Sequence, residues 1–111
     1  MTMTEETTGT ADVAQWSVQP GATTPSAMLP GAGASLRRVD VPAGRVAERH
    51  SHAHEQFVIV VSGGGRLQCE AGDVELRPGT TIRFAPGAWH SAQFAEATVL
   101  IEVNLAEFAT P

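Results

Sequence analysis

Short runs in which apolar and polar residues alternate, separated by turn residues, dominate this chain from Leu36 onward. Val39 and Val41 alternate with charged neighbours before a Pro-Ala-Gly turn. The same pattern recurs in three later runs, at 67–70, 73–77 and 81–84. A period of two puts every second side chain on one face of an extended strand, so each run predicts a strand with one dry face. Regularly spaced turns between such strands favour an all-β sandwich or barrel.

Two runs break this alternation, at Phe57–Val61 and Ala97–Val103, because both of their faces are largely apolar. One face fits a shared core, but the outer face of each strand then needs a cover of its own. A second sheet layer, the segment 15–35 or a partner subunit would provide that cover. In so small a chain we expect a homodimer.

The composition divides the chain into three parts. Residues 1–14 are rich in Thr and poor in large apolar side chains, which predicts a flexible arm. Residues 15–35 carry isolated apolar side chains between prolines and glycines, which predicts an extended segment packed on the barrel. Residues 36–111 hold the predicted β-barrel, with a hairpin turn at 62–65 and a short helix near 105–109.

The charge balance and the missing residue types exclude several functions. Seven Arg, no Lys and twelve acidic residues give the 111-residue chain a net charge of −5, which is unsuited to binding a nucleic-acid backbone. Without Lys or Tyr, it has neither a Schiff-base amine nor a phenolic acid or base. No apolar run approaches the roughly 20 residues of a membrane helix, and the start of the chain lacks a secretory signal. We therefore expect a cytoplasmic protein with a small-molecule substrate and no membrane partner.

The four histidines are the most informative residues of the chain. His50, His52 and His54 alternate with other residues, and His90 follows much later. In an extended strand His50 and His52 point to one face, Gln56 shares that face if the strand stays regular, and a neighbouring strand can bring His90 opposite. Three imidazoles and one oxygen donor suit Zn, Ni, Fe, Mn or Cu. A surface run or a tag remnant is the alternative, but the stretch is internal and leads directly into a core strand.

Three further residues leave alternatives open. His54 is a fifth ligand, a proton-transfer group or a solvent-facing residue. Glu55 is a metal ligand if the strand bulges, and otherwise a surface residue or a partner that fixes a histidine tautomer. Glu102 interrupts the apolar pattern of the last run, and we interpret it as a rim carboxylate paired with an arginine.

The first histidine motif resembles that of the cupin superfamily, in which a glycine is followed by His-x-His, an acidic residue and a second glycine. The matching residues are Gly44, His50, His52, Gln56 and Gly63. The chain departs from the family pattern in one respect, since Gln56 stands where the acidic ligand is usual. The resemblance implies a double-stranded β-helix, the jelly-roll barrel of cupins, with a divalent transition metal.

The second cupin motif is matched from Gly79 to His90, with His90 as its ligand. Here the proline lies one position late, and Phe94 replaces the closing asparagine. Together the two motifs imply that His50, His52, Gln56 and His90 hold the metal.

The local string His-Ser-His-Ala-His-Glu-Gln-Phe is similar to that of small cupins that open the ring of unsaturated uronates, and to stand-alone polyketide-cyclase cupins. The resemblance implies an isomerase, lyase or cyclase that activates a sugar acid or polyketide-like molecule by Lewis-acid catalysis, with His54 or Glu55 moving the proton. Two alternatives remain. One is an O2-dependent dioxygenase of the quercetinase type, and the other is a non-catalytic cupin that only binds a small molecule.

Overall fold

A computed structural model describes residues 9–20 and 24–106, and this part of the chain forms ten strands and no helix. The strands are β1 (Ser17–Val18), β2 (Ser26–Leu29), β3 (Ala34–Val41), β4 (Val46–His50), β5 (Gln56–Ser62), β6 (Gly65–Cys69), β7 (Gly72–Leu76), β8 (Thr81–Phe84), β9 (His90–Gln93) and β10 (Thr98–Leu105). The all-β fold predicted from the alternating runs is therefore confirmed. Nothing in the described ranges is a helix long and apolar enough to span a membrane.

The strands form two antiparallel sheets that pack face to face. The larger sheet has the order β1-β2-β3-β10-β5-β8, and the smaller has the order β4-β9-β6-β7. Strands that are distant in sequence become neighbours, since β10 lies between β3 and β5. The chain therefore alternates between two layers, as in a jelly-roll barrel.

Alternating side chains from both sheets fill the space between them. Along β5, Gln56, Val58 and Val60 are buried, whereas the residues between them are only half-buried. The buried apolar side chains form one cluster: Val39, Val41, Val58, Val60, Leu67, Leu76, Phe84, Ala92, Phe94 and Leu100. Every run for which the sequence predicted one dry face contributes to this cluster.

The N-terminal segment lengthens the larger sheet. Strand β2 pairs with β3, and β1 pairs with β2, so residues 17–18 and 26–29 extend the sheet at its edge. Residues 9–14 are exposed and form no strand, and residues 1–8 lie outside the described residues. The division into an arm, a packed segment and a barrel, and the flexibility of that arm, stay predictions.

The prediction of a helix near 105–109 is wrong for its first residue. Leu105 ends strand β10 and pairs with Ala34, so the last strand continues where the helix was expected to begin. The remainder of the expected helix, residues 107–109, lies outside the described residues.

The outer face of the larger sheet is apolar where β5 and β10 meet. Ile101 pairs with Ile59 and Val103 with Phe57, and these four side chains are half-buried. The smaller sheet packs on the opposite face of the larger sheet, and the strands β1 and β2 of the segment 15–35 lie at the edge of that sheet. The homodimer expected from these two runs stays a prediction.

The predicted hairpin at 62–65 is wrong, because these residues carry the chain from one sheet to the other. Strand β5 belongs to the larger sheet and β6 to the smaller, and the two do not pair. Gly63 has a φ of 89°, and a Cβ there would lie 2.3 Å from the carbonyl oxygen of Ala97. The corner therefore needs glycine for both its backbone conformation and its close approach to β10.

Two alanine substitutions separate the requirement for a positive φ from the requirement for close contact with β10. We expect Gly63→Ala to lower the free energy of unfolding by about 3 kcal/mol, because it adds a steric clash to the cost of a positive φ. Gly72→Ala is the matched control, since Gly72 also has a positive φ but its Cβ would meet nothing within 4 Å. The control should cost about 1 kcal/mol. Equal losses in urea denaturation would show that the contact with β10 is unimportant.

Candidate metal centre

His50 and His90 face each other across two paired strands. Strands β4 and β9 are antiparallel, and the register places His50 directly opposite His90. Their ring centroids lie 4.3 Å apart. The pairing predicted for His90 is thus present, at the edge of the smaller sheet.

His52 reaches the same place from a loop, which differs from the regular strand assumed for the histidine run. Strand β4 ends at His50, and residues 51–55 form the loop that leads to β5. The backbone N–H of Gly87 donates to the His52 carbonyl over 2.7 Å, which fixes this loop against the turn before β9. The His52 ring lies 5.1 Å from the His50 ring and 5.6 Å from the His90 ring.

These three histidines form a cluster that could hold a metal ion. One ring nitrogen from each of His50, His52 and His90 lies within 4.8 Å of the other two. His50 is exposed, His52 is half-buried and His90 is buried, so the cluster extends from the surface into the barrel. Three imidazole nitrogens so close together suit a transition metal.

The hydrogen bonds of the cluster favour metal binding. The Nδ1 of His50 lies 2.7 Å from the Glu48 carbonyl oxygen, and only an N–H can bond to a carbonyl, so His50 keeps its Nε2 lone pair. The Nδ1 of His90 is buried and has no hydrogen bond of normal geometry among the described residues, although the Ala88 backbone interacts with this imidazole. Buried polar atoms are nearly always paired, and a metal ligand role would account for this nitrogen.

Electrostatics favour the neutral forms of His52 and His90. Burial, followed by the positive charge of a protonated His50, lowers the pKa of His90 to about 4. Burial and the charges of His50 and His54 also lower the pKa of His52. Neutral imidazoles have the free lone pairs that a cation requires. Phe84 stacks on His90 at a centroid distance of 3.9 Å and holds the ring in place.

Gln56 lies on the inner face of β5, beside the cluster. Its side chain is 3% exposed and lines the same cavity as His50 and His90. Its Nε2 donates to Asn104 Oδ1 over 2.9 Å. Oε1 is therefore the Gln56 atom with lone pairs to offer a cation, and its role as fourth ligand stays a prediction.

His54 and Glu55 are not members of the three-histidine cluster. The Nε2 of His54 donates to Asn104 Oδ1 over 2.9 Å, and the His54 ring is tilted against the His52 ring at a centroid distance of 5.2 Å. The Glu55 carboxylate forms an ion pair with Arg83. Glu55 is thus bound to an exposed arginine. The catalytic roles expected of His54 and Glu55 stay predictions.

Glu102 is the site residue that the sequence reasoning undervalued. It pairs with Arg37 at 3.5 Å, as expected of a rim carboxylate, but it also lines the cavity beside His50, Gln56 and His90. Burial is the main cause that raises the pKa of Glu102, and the charge of Arg37 opposes it. Its interruption of the apolar run was the available signal, since a carboxylate facing a core needs a reason to be there.

A comparison with protein-family models identifies this architecture. Residues 37–104 match the model described as a cupin domain, which covers more than half of the chain. The chain belongs to the cupin family. No curated protein matches it.

Solved structures share the cupin fold with this chain. An RmlC-like cupin from Shewanella frigidimarina is 20% identical with a TM-score of 0.71, and the match covers 86% of both chains. KdgF from Halomonas sp. is 22% identical with a TM-score of 0.67, over 84% of this chain and 89% of KdgF. The DMSP lyase DddQ from Ruegeria pomeroyi is 16% identical with a TM-score of 0.69, over 88% of this chain and 59% of the lyase. At these identities the likeness concerns the fold alone.

The inner cavity of this cupin is small, and a hydrogen bond between Gln56 and Asn104 links its wall to the wall of a second pocket. The inner cavity, of about 80 Å³, is lined by the site residues and by core side chains such as Leu100. An outer pocket of about 340 Å³ is lined by His54, Asn104 and the residues around Gly31. Gln56, Asn104 and His54 therefore form a hydrogen-bonded chain that runs from the inner cavity to the outer pocket.

The lowered pKa of His90 makes the stability of the metal-free cupin depend on pH. The unfolded chain binds a proton at His90 below about pH 6.5, whereas the folded chain does so only near pH 4, so acidification favours unfolding between these values. We expect the titration of His90 to lower the free energy of unfolding by about 1–2 kcal/mol over that pH range, allowing for solvent screening. Urea unfolding in the presence of a chelator, at both ends of the pH range, measures this loss. His90→Gln should show a smaller loss, and an equal loss would place the titration elsewhere.

Proposed function

We propose that this cupin is a metal-dependent enzyme that acts on a small oxygenated organic molecule by Lewis-acid activation and proton transfer. The observation that carries the proposal is the convergence of ring nitrogens from His50, His52 and His90 within 4.8 Å. Gln56 is proposed as the fourth ligand because it lines the same cavity and has its Oε1 available. The reaction class is that of an isomerase, lyase or cyclase.

The proposed ligands are all neutral. Three uncharged imidazoles and a carboxamide cancel none of the charge of a divalent ion, whereas the usual acidic ligand would. When bound, such an ion supplies Lewis acidity toward a carbonyl or hydroxyl oxygen of the substrate. Zn, Ni, Fe, Mn and Cu all suit this donor set.

Glu102 is the group best placed to move a proton within the inner cavity. Its carboxylate is the only one that lines the cavity in the described part of the chain. Burial raises the pKa of Glu102 and so favours the protonated form that a general acid needs, while the charge of Arg37 opposes this effect. His54 remains the candidate at the outer pocket. The ion pair with Arg83 makes Glu55 the weakest of the three candidates.

The dimensions of the site favour a substrate that reacts at one end. A cavity of about 80 Å³ admits only a small group, such as a carbonyl or hydroxyl end, so the body of the molecule would lie outside the inner cavity. We propose a sugar acid or a polyketide-like molecule. The likeness to a DMSP lyase is compatible with lyase chemistry on this fold.

Metal binding tests the proposed ligand set. We expect His50→Ala and His90→Ala to abolish stoichiometric binding of Zn or Ni, because each removes one of three imidazole donors. His54→Ala should retain most of the binding, since its Nε2 is bonded to Asn104. Isothermal titration calorimetry on protein purified without added metal measures the stoichiometry and affinity.

Two matched charge variants complete the metal test. Gln56→Glu should raise the affinity about tenfold, because it places a carboxylate beside the ion, and Glu55→Gln should leave it unchanged. The reverse outcome would make Glu55 the ligand, and loss of binding in none of the histidine variants would remove the metal hypothesis.

Turnover tests the role of Glu102. Once a substrate is found, Glu102→Gln should lower kcat by about 100-fold or more while metal affinity stays near that of the wild type, because an amide of similar size cannot exchange a proton. The same turnover assay is also run without oxygen. Activity that requires O2 would indicate a dioxygenase, and a ligand bound without any conversion would indicate a binding module.

A further inference from the structure

A single oxygen atom connects the proposed fourth ligand to His54. Asn104 Oδ1 accepts one hydrogen bond from Gln56 Nε2 and another from His54 Nε2, each over 2.9 Å. Asn104 lies directly opposite Gln56 in the pairing of β10 with β5. Its side chain is half-buried and lines the outer pocket, so this oxygen lies between that pocket and the inner cavity.

The bond to Asn104 solves a problem that is particular to a carboxamide ligand. The two ends of the Gln56 side chain have nearly the same shape, but only the oxygen has lone pairs for a cation. A flip of the Gln56 amide would present its NH2 group to the metal site. Asn104 presents its Oδ1 to both Gln56 and His54, and in this orientation it can bind only the nitrogen end of Gln56, which leaves Oε1 for the ion.

We propose that Asn104 is a positioning residue that fixes the orientation of the Gln56 carboxamide. The proposal rests on the proposed function, because it requires Gln56 to be a ligand. Asn104 bonds to the proposed ligand Gln56 and is not itself proposed as a ligand, and its contribution is to exclude the amide orientation that cannot bind a cation.

The same oxygen also determines the position of His54. Its bond to the His54 Nε2 holds the histidine at the edge of the outer pocket, one hydrogen-bonded step from Gln56. Loss of the Asn104 side chain therefore disturbs Gln56 and His54 together, whereas loss of His54 leaves the bond to Gln56 in place.

The first test compares Asn104 variants in the cobalt-substituted protein. Asn104→Leu removes the acceptor, and we expect cobalt affinity to fall about tenfold or more, with visible absorption bands that move toward those of Gln56→Ala. Asn104→Asp keeps an acceptor oxygen and should keep the wild-type bands. Ser35→Ala is the control, since Ser35 pairs with Asn104 and lines the same pocket without a bond to Gln56.

The second test asks whether the loss arises from amide orientation or from general damage. A carboxylate presents oxygen at both ends, so in the Gln56→Glu background Asn104→Leu should change cobalt affinity by less than about threefold. A similar loss in both backgrounds would overturn the proposal in favour of a merely structural role. Thermal unfolding of the metal-free variants checks folding, and Asn104→Ala replaces Asn104→Leu if the latter fails to fold.

The outcomes separate this inference from the proposed function. If Gln56→Ala leaves the cobalt spectrum and affinity unchanged, Gln56 is not a ligand and the proposed ligand set fails. If Gln56→Ala changes both but Asn104→Leu behaves as the wild type, the ligand set stands and the role of Asn104 is wrong.

Discussion

The two sheets share one interior, and that interior must serve as a dry core and as a polar site. Strand periodicity directs every second residue of a strand inward. Apolar and polar side chains that face this interior are therefore separated along the length of the barrel. Val58 and Val60 on β5 pack in the core, whereas Gln56 at the start of the same face lies among the histidines. The site is therefore the end of the core at which the inward positions become polar.

Polar groups in such an interior are stable only if other groups satisfy them. Gln56 bonds to Asn104, and Glu102 pairs with Arg37, so each of these two polar side chains has a partner from a neighbouring strand. The His90 Nδ1, which has no hydrogen bond of normal geometry, is the exception among the described residues. Because partners come from different strands, the polar site depends on the same sheet register that the apolar core does.

Local patterns in the sequence predicted the strands and the histidine cluster, because alternation and motif spacing are properties of short segments. The loop at 51–55 was missed, since histidines that alternate look like a strand whether or not the backbone is regular. The corner at Gly63 was missed for a different reason, because its close contact is with β10, more than thirty residues away. The cavity location of Glu102 and the two bonds of Asn104 likewise follow from strand pairing, which short-range patterns do not contain.

Strand β4 lies at the edge of the smaller sheet, which affects the kinetics of any ion bound there. His50 ends this edge strand and His52 lies in the loop that follows, so two of the three clustered histidines belong to the same peripheral segment. Edge strands have one hydrogen-bonded neighbour, and they open locally at lower cost than the centre of a sheet. An ion could then leave through fraying of residues 46–55 while His90 and the larger sheet stay folded. Exchange of the ion would be faster than unfolding of the barrel.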